Sequence, residues 1–67
     1  MMLFIKVTEF YSKYKMLIRA DLITKMIQEV LPEGETASYI LFQNGHFEYV
    51  EESINELEVQ LNKLNIR

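Results

Sequence analysis

The sequence predicts a small α+β domain: an antiparallel β-meander of about five strands with one C-terminal amphipathic helix packed on the sheet. Three observations carry that prediction. Leu3, Ile5 and Val7 alternate with Phe4, Lys6 and Thr8, the period of a strand with one buried face. Asn44-Gly45 stands between two runs rich in β-branched and aromatic residues, as a hairpin turn does. Ser53 and Glu56 have the spacing of a capping box, and Ile54, Leu57, Leu61 and Leu64 behind them recur at helical intervals.

Taken in order, strands are expected at about residues 2–10, 15–20, 23–31, 38–43 and 46–51 and the helix at about 54–65, in a single domain over 1–67. Tyr11 to Lys15 interrupts the first alternation and Met16 to Ala20 resumes it, which predicts a hairpin. Its turn has neither glycine nor asparagine, so a tight turn and a loop of about four or five residues both fit. Ile23, Met26, Ile27 and Val30 have helical spacing, with Asp21 as a cap and Pro32 as a stop. Yet Ile23, Thr24, Ile27 and Val30 are β-branched, and a single turn at Asp21 to Ile23 followed by a strand explains the same pattern. Pattern leaves both readings open. Pro32-Glu33-Gly34-Glu35 is a loop signal.

Asn-Gly tolerates positive φ at both centres of a type I′ turn, and such a turn pairs Phe42 with Phe47, Ile40 with Tyr49 and Tyr39 with Val50. That register sets Ile40, Phe42, Phe47 and Tyr49 on the core face under the helix, and Tyr39, Leu41 and Val50 on the opposite face. Lys63 and Arg67 put positive charge where the helix dipole favours it.

A chain of 67 residues allows one domain and a modest core. It has no cysteine, so neither a disulfide nor a thiolate metal site is expected, and a reducing, cytoplasmic setting fits. The apolar fraction is 49%, with no run near the roughly 20 residues of a membrane span, which reads as neither transmembrane nor disordered. Met1 to Lys6 lacks the basic lead and long apolar run of a signal peptide and reads as mature chain. Net charge is −3, unevenly spread: residues 1–31 hold five basic and three acidic groups, residues 32–67 two basic and seven acidic. That balance gives no basic field strong enough to make duplex phosphate a default partner.

His46 and Glu48 form an H-x-E pair on one strand face, but zinc needs three or four ligands and the sequence offers neither cysteine nor a second histidine. Glu48, Glu51, Glu52, Glu56 and Glu58 cluster around the strand-to-helix junction, where a solvated acidic face is the simplest reading and general acid/base work would need a cleft. No catalytic, metal or cofactor residue is therefore assigned. Tyr11 and Tyr14 interleave with Lys13, Lys15 and Arg19, the residue types that hold single-stranded nucleic acid by stacking and charge.

Ala20-Asp21-Leu22-Ile23, Asn44-Gly45 and Tyr49-Val50-Glu51-Glu52-Ser53, with an amphipathic helix behind them, resemble the small FlbD-type proteins encoded among bacterial flagellar genes and similar short chains of phage and mobile elements. The likeness spans nearly the whole chain and follows a pattern like A-D-x-I, N-G, Y-V-x-E-S. It implies a strand over Ile23 to Leu31, and an accessory protein with no catalytic residues to carry across.

The expectation is a small non-enzymatic interaction or assembly module, an accessory of a larger bacterial complex of flagellar or phage and mobile-element type, with a weak nucleic-acid-binding regulator as the alternative. Apolar surface beyond what one helix can cover, and the two edges of a meander, predict a homodimer. Its interface is expected at Tyr39, Leu41 and Val50 on the outer sheet face, extended by Val59 and Ile66 of the helix.

Overall fold

The computed structural model describes residues 3–64, so the interface residue Ile66 lies outside the described residues. Five antiparallel strands, β1 (Phe4–Thr8), β2 (Lys15–Arg19), β3 (Ile23–Val30), β4 (Thr36–Phe42) and β5 (Phe47–Val50), precede one helix, α1 (Ile54–Leu64). Residues 23–30 are thus a strand, reached through a single 3₁₀ turn at Ala20–Leu22. As an edge strand β3 has both faces partly in water, so its apolar residues need not alternate, and Met26 and Ile27 point to opposite faces.

The 3₁₀ turn divides the meander into two sheets, β1–β2 and β3–β4–β5. They rejoin on the other side. Glu9 bridges Val50, the Phe10 amide donates to the Tyr49 carbonyl at 2.8 Å, and the Glu51 amide donates to the Thr8 carbonyl at 2.9 Å. The end of the first strand therefore lies beside the last.

Three turns of two kinds build the strand pairs. In the first hairpin the Glu9 amide donates to the Tyr14 carbonyl and Lys13 to Glu9, closing a loop of Phe10 to Lys13 with Lys13 at φ 65°. Glu9 Oε1 fills that loop, accepting from the Tyr11 and Ser12 amides at 3.1 and 2.6 Å. The other two hairpins share one solution. Gly34 donates to Leu31 and Leu31 to Glu35; likewise Gly45 donates to Phe42 and Phe42 to His46. Each is a β-turn followed by a glycine at φ about +90°.

That geometry corrects the expected type I′ turn. Among the described non-glycine residues only Lys13 has positive φ, so Asn44 stays in an ordinary conformation and Gly45 alone carries the left-handed position. The loop thereby holds Gln43, Asn44 and Gly45 and shifts the register by one residue, pairing Leu41 with Phe47, Tyr39 with Tyr49 and Ser38 with Val50. A one-residue slip exchanges the faces of β5. Phe47 and Tyr49 leave the core side, and Val50, expected on the outer face, is 0% exposed inside it.

The core is consequently aliphatic. Ile5, Val7, Ile40, Val50 and Leu57 form its buried centre, with Met16, Ile18, Met26, Phe42, Leu61 and Leu64 packed around them. The helix stripe lies on this set, not on an aromatic face. The capping box forms as expected: the Ser53 amide donates to Glu56 Oε1 at 2.8 Å and the Glu56 amide to Ser53 Oγ at 3.1 Å. Gln28 on β3 takes a further helix-start amide, accepting from Ile54 at 3.1 Å.

Candidate interaction surface

The outer face of the β3–β4–β5 sheet gathers the side chains that the register change expels. Tyr39 and Tyr49 face each other across β4 and β5, as do Leu41 and Phe47. Since the Phe42–His46 pair carries the ladder bond, alternation makes both of these non-hydrogen-bonded pairs, in which side chains approach most closely. The rings accordingly touch. Centroids of Tyr39 lie 5.3 Å from those of both Phe47 and Tyr49, and Phe47 and Tyr49 meet edge to face at 6.1 Å.

From this group the patch runs in two directions. Tyr11, on the first hairpin loop, sets its ring 6.2 Å from Tyr49 at 80° and meets Phe10 at 5.1 Å. Toward the sheet edge, Ile27 pairs with Tyr39, Lys25 with Leu41 and Glu29 with Ala37. Glu29 Oε1 accepts a hydrogen bond from the Tyr49 hydroxyl at 3.1 Å, and that bond raises the Tyr49 pKa, because ionising the phenol would remove the donor beside a carboxylate. Phe47 is 54% exposed and Tyr11 67%, so ring surface remains in water.

Of the expected interface residues, Tyr39 and Leu41 stand in this patch, Val50 is buried beneath it, and Val59 is exposed on the helix, which packs on the core side. Phe47 and Tyr49 are the patch residues that sequence reasoning assigned to the core. A signal for them existed: keeping purely aliphatic Val50 inside with Ile40 requires the three-residue loop and turns both aromatics outward.

The aromatic and basic residues of the first hairpin do not form a free cationic strip. Lys13 pairs with Glu51 and sits 4.7 Å over the Phe10 ring, Lys15 Nζ donates to Thr8 Oγ1 at 3.0 Å, and Arg19 is bound to Asp21 at 2.6 Å. Tyr14 is exposed with no described ring beside it.

The acidic junction borders a half-open pocket of about 350 Å³ lined by Gln28, Ser38, Glu51, Glu52, Ser53 and Glu56 among others. Its polar groups are engaged within the fold. Glu52 accepts from the Thr8 amide and hydroxyl at 2.9 and 3.0 Å, Ser38 Oγ donates to the Glu52 carbonyl at 2.6 Å, and Glu56 completes the helix cap. Among the described residues, no group of three or more His, Cys, Asp and Glu side chains gathers as a metal site. No helix of the described chain is long and apolar enough to cross a membrane.

No protein-family model, curated protein or solved structure matches this chain. The surface is therefore read from its own chemistry. Touching rings bordered on the β3 side by Lys25 and Glu29 offer apolar area, ring edges and a few hydrogen-bonding hydroxyls.

Proposed function

We propose that this chain is a small non-enzymatic interaction or assembly module that contacts protein through the outer face of its three-stranded sheet and works as a homodimer. The observation that supports this reading is the patch of Tyr11, Tyr39, Leu41, Phe47 and Tyr49, in which Tyr11 and Phe47 are exposed and Tyr39, Leu41 and Tyr49 half-buried although the helix already covers the other face. The resemblance to FlbD-type proteins supports an accessory role in a larger bacterial complex of flagellar or phage and mobile-element type, and the cysteine-free sequence suits the cytoplasm.

Affinity purification from the native host tests the surface. A protein partner held by the wild type and lost on Leu41→Lys, with an unchanged circular dichroism spectrum, is the expected result. Light scattering tests the dimer, expected at about twice the chain mass of 8.0 kDa. The second reading, a weak nucleic-acid-binding regulator, rests on exposed Tyr11 and Tyr14. It is weaker because Lys13, Lys15 and Arg19 are each engaged within the fold, which leaves little charge to displace phosphate counterions. Sub-micromolar binding of labelled single strands, abolished by changing Tyr14 and Lys15 to Ala, would place it first.

A further inference from the structure

The two outermost strands, β2 and β3, differ in what their free edges would meet in a second copy. On β3 the Leu31–Glu35 pair carries the ladder bond, so alternation directs the backbone groups of Lys25, Ile27 and Glu29 to β4 and those of Met26, Gln28 and Val30 outward. The outward groups have no partner among the described residues. The strand is also open to solvent along its length, with Thr24, Lys25, Ile27, Gln28 and Val30 exposed and Val30 at 75%. Such an edge invites another strand unless charge opposes it.

Charge favours it here. In an antiparallel self-pairing with Ile27 on the two-fold axis, Met26 faces Gln28 of the second copy and Gln28 faces its Met26, and these are the residues whose backbone groups point outward. The intervening pairs are then Ile27 against Ile27 and Lys25 against Glu29, twice by symmetry. They fall at non-hydrogen-bonded positions, where side chains are closest. Moving the register by one step either way that keeps the hydrogen bonds sets Ile27 against Lys25 or Glu29 and loses both ion pairs. The other edge does the reverse. β2 paired with itself about Leu17 would set Lys15 against Arg19, two like charges at each end.

We propose that two copies of this chain join β3 to β3 antiparallel about Ile27, crossing Lys25 with Glu29 twice, to make one continuous six-stranded sheet. This inference rests on the homodimer reading above and specifies its interface. An isologous contact of this kind closes after two copies. It lays the two aromatic faces side by side on one surface, and the Tyr49 hydroxyl, bonded to Glu29 Oε1, helps hold the carboxylate on that surface.

Charge reversal with mixing tests the pairing. Lys25→Glu alone sets two carboxylates against each other at both crossings, and Glu29→Lys alone sets two ammonium groups there. Each should raise the dimer dissociation constant by roughly tenfold or more. Equal amounts of the two variants should recover the dimer, because every cross-pair is then of opposite sign. Recovery also shows that both variants fold. In the wild type, the amides of Met26 and Gln28 should exchange slowly at dimer-forming concentration and fast on dilution. A wild-type dimer indifferent to both charge reversals, variants that stay monomeric when mixed, or free exchange at Met26 and Gln28 in the dimer would overturn the β3 interface and leave the homodimer reading standing. A wild type that scatters as a monomer of 8.0 kDa at every concentration would remove both.

Discussion

Gln60 of the helix and Lys6 of β1, distant in sequence, pair as two strands would: the Lys6 amide donates to Gln60 Oε1 at 2.9 Å and Gln60 Nε2 donates to the Lys6 carbonyl at 2.7 Å. β5 is short and reaches β1 only at its end, so the remainder of that edge is closed by side chains, with Glu52 serving the Thr8 amide in the same way. Gln60→Leu keeps the helix propensity and removes both bonds. It should destabilise by about 1–2 kcal/mol in urea titration, with helical dichroism retained in the folded state. An unchanged midpoint would mean that water replaces the amide without cost.

The two glycine turns give a paired prediction. A Cβ on Gly34 or Gly45 would meet nothing within 4 Å, so substitution there costs backbone strain alone. Gly34→Val and Gly45→Val should therefore destabilise alike, by about 1–2 kcal/mol or somewhat more for the branched side chain. Asn44→Ala should cost less than either, because Asn44 is not left-handed and loses only the bond from the His46 amide to its Oδ1 at 3.0 Å. Thermal melts of the three variants decide it. A type I′ turn would make Asn44→Ala costly as well.

That turn also marks how far the sequence could be read. The hairpin, the capping box, the helix stripe and the outward place of Tyr39 and Leu41 follow from residue type and spacing. The loop length does not, because Asn-Gly suits both a two-residue loop and a three-residue one, and the choice rests on whether Val50 or Tyr49 lies against Ile40 and Leu57. A single φ angle at Asn44 thus decided which aromatics reach the surface. β3 was ambiguous for another reason: an edge strand wetted on both faces has no binary pattern, and chance spacing imitates a helix. The bridge from Glu9 to Val50 depends on how two sheets fold back on each other, and no local pattern encodes it.

Ser53→Ala removes the oxygen that receives the Glu56 amide, and should lower stability by about 1 kcal/mol. Glu56→Gln keeps an acceptor for the Ser53 amide and should cost less. Chemical denaturation compares them; equal losses would show that the charge of Glu56 at the helix start contributes as much as the hydrogen bond to Ser53.

Glu9 titrates below the ordinary glutamate value, first because the Ser12 amide binds its carboxylate, with the Ser12 hydroxyl, the Tyr11 amide and Lys13 adding to the effect. A depressed carboxylate contributes stability that is present above its unfolded pKa and is lost as pH falls through the lowered folded value. The first hairpin should therefore loosen in acid, read as loss of protection at the Ser12 amide. Glu9→Gln should weaken the loop at neutral pH and flatten that acid dependence.

Tyr49 has the opposite sign. Its pKa is raised, first by the hydrogen bond to Glu29 and then by desolvation and the negative charge of Glu29, so the neutral phenol is the form that the fold favours. The corresponding stability is present below the ordinary tyrosine value and disappears as pH rises through the raised one. In an alkaline absorbance titration, the step that Tyr49→Phe removes should lie above the ordinary tyrosine range, and Glu29→Gln should bring it down. Tyr49→Phe should also leave the ring contacts with Tyr39 and Phe47 in place, so partner binding that depends on aromatic area should persist while the alkaline loss of stability is reduced. A Tyr49 step at the ordinary value in the wild type would show that Glu29 is solvated and free of the hydroxyl, and would remove the tether that orients its carboxylate along the sheet edge.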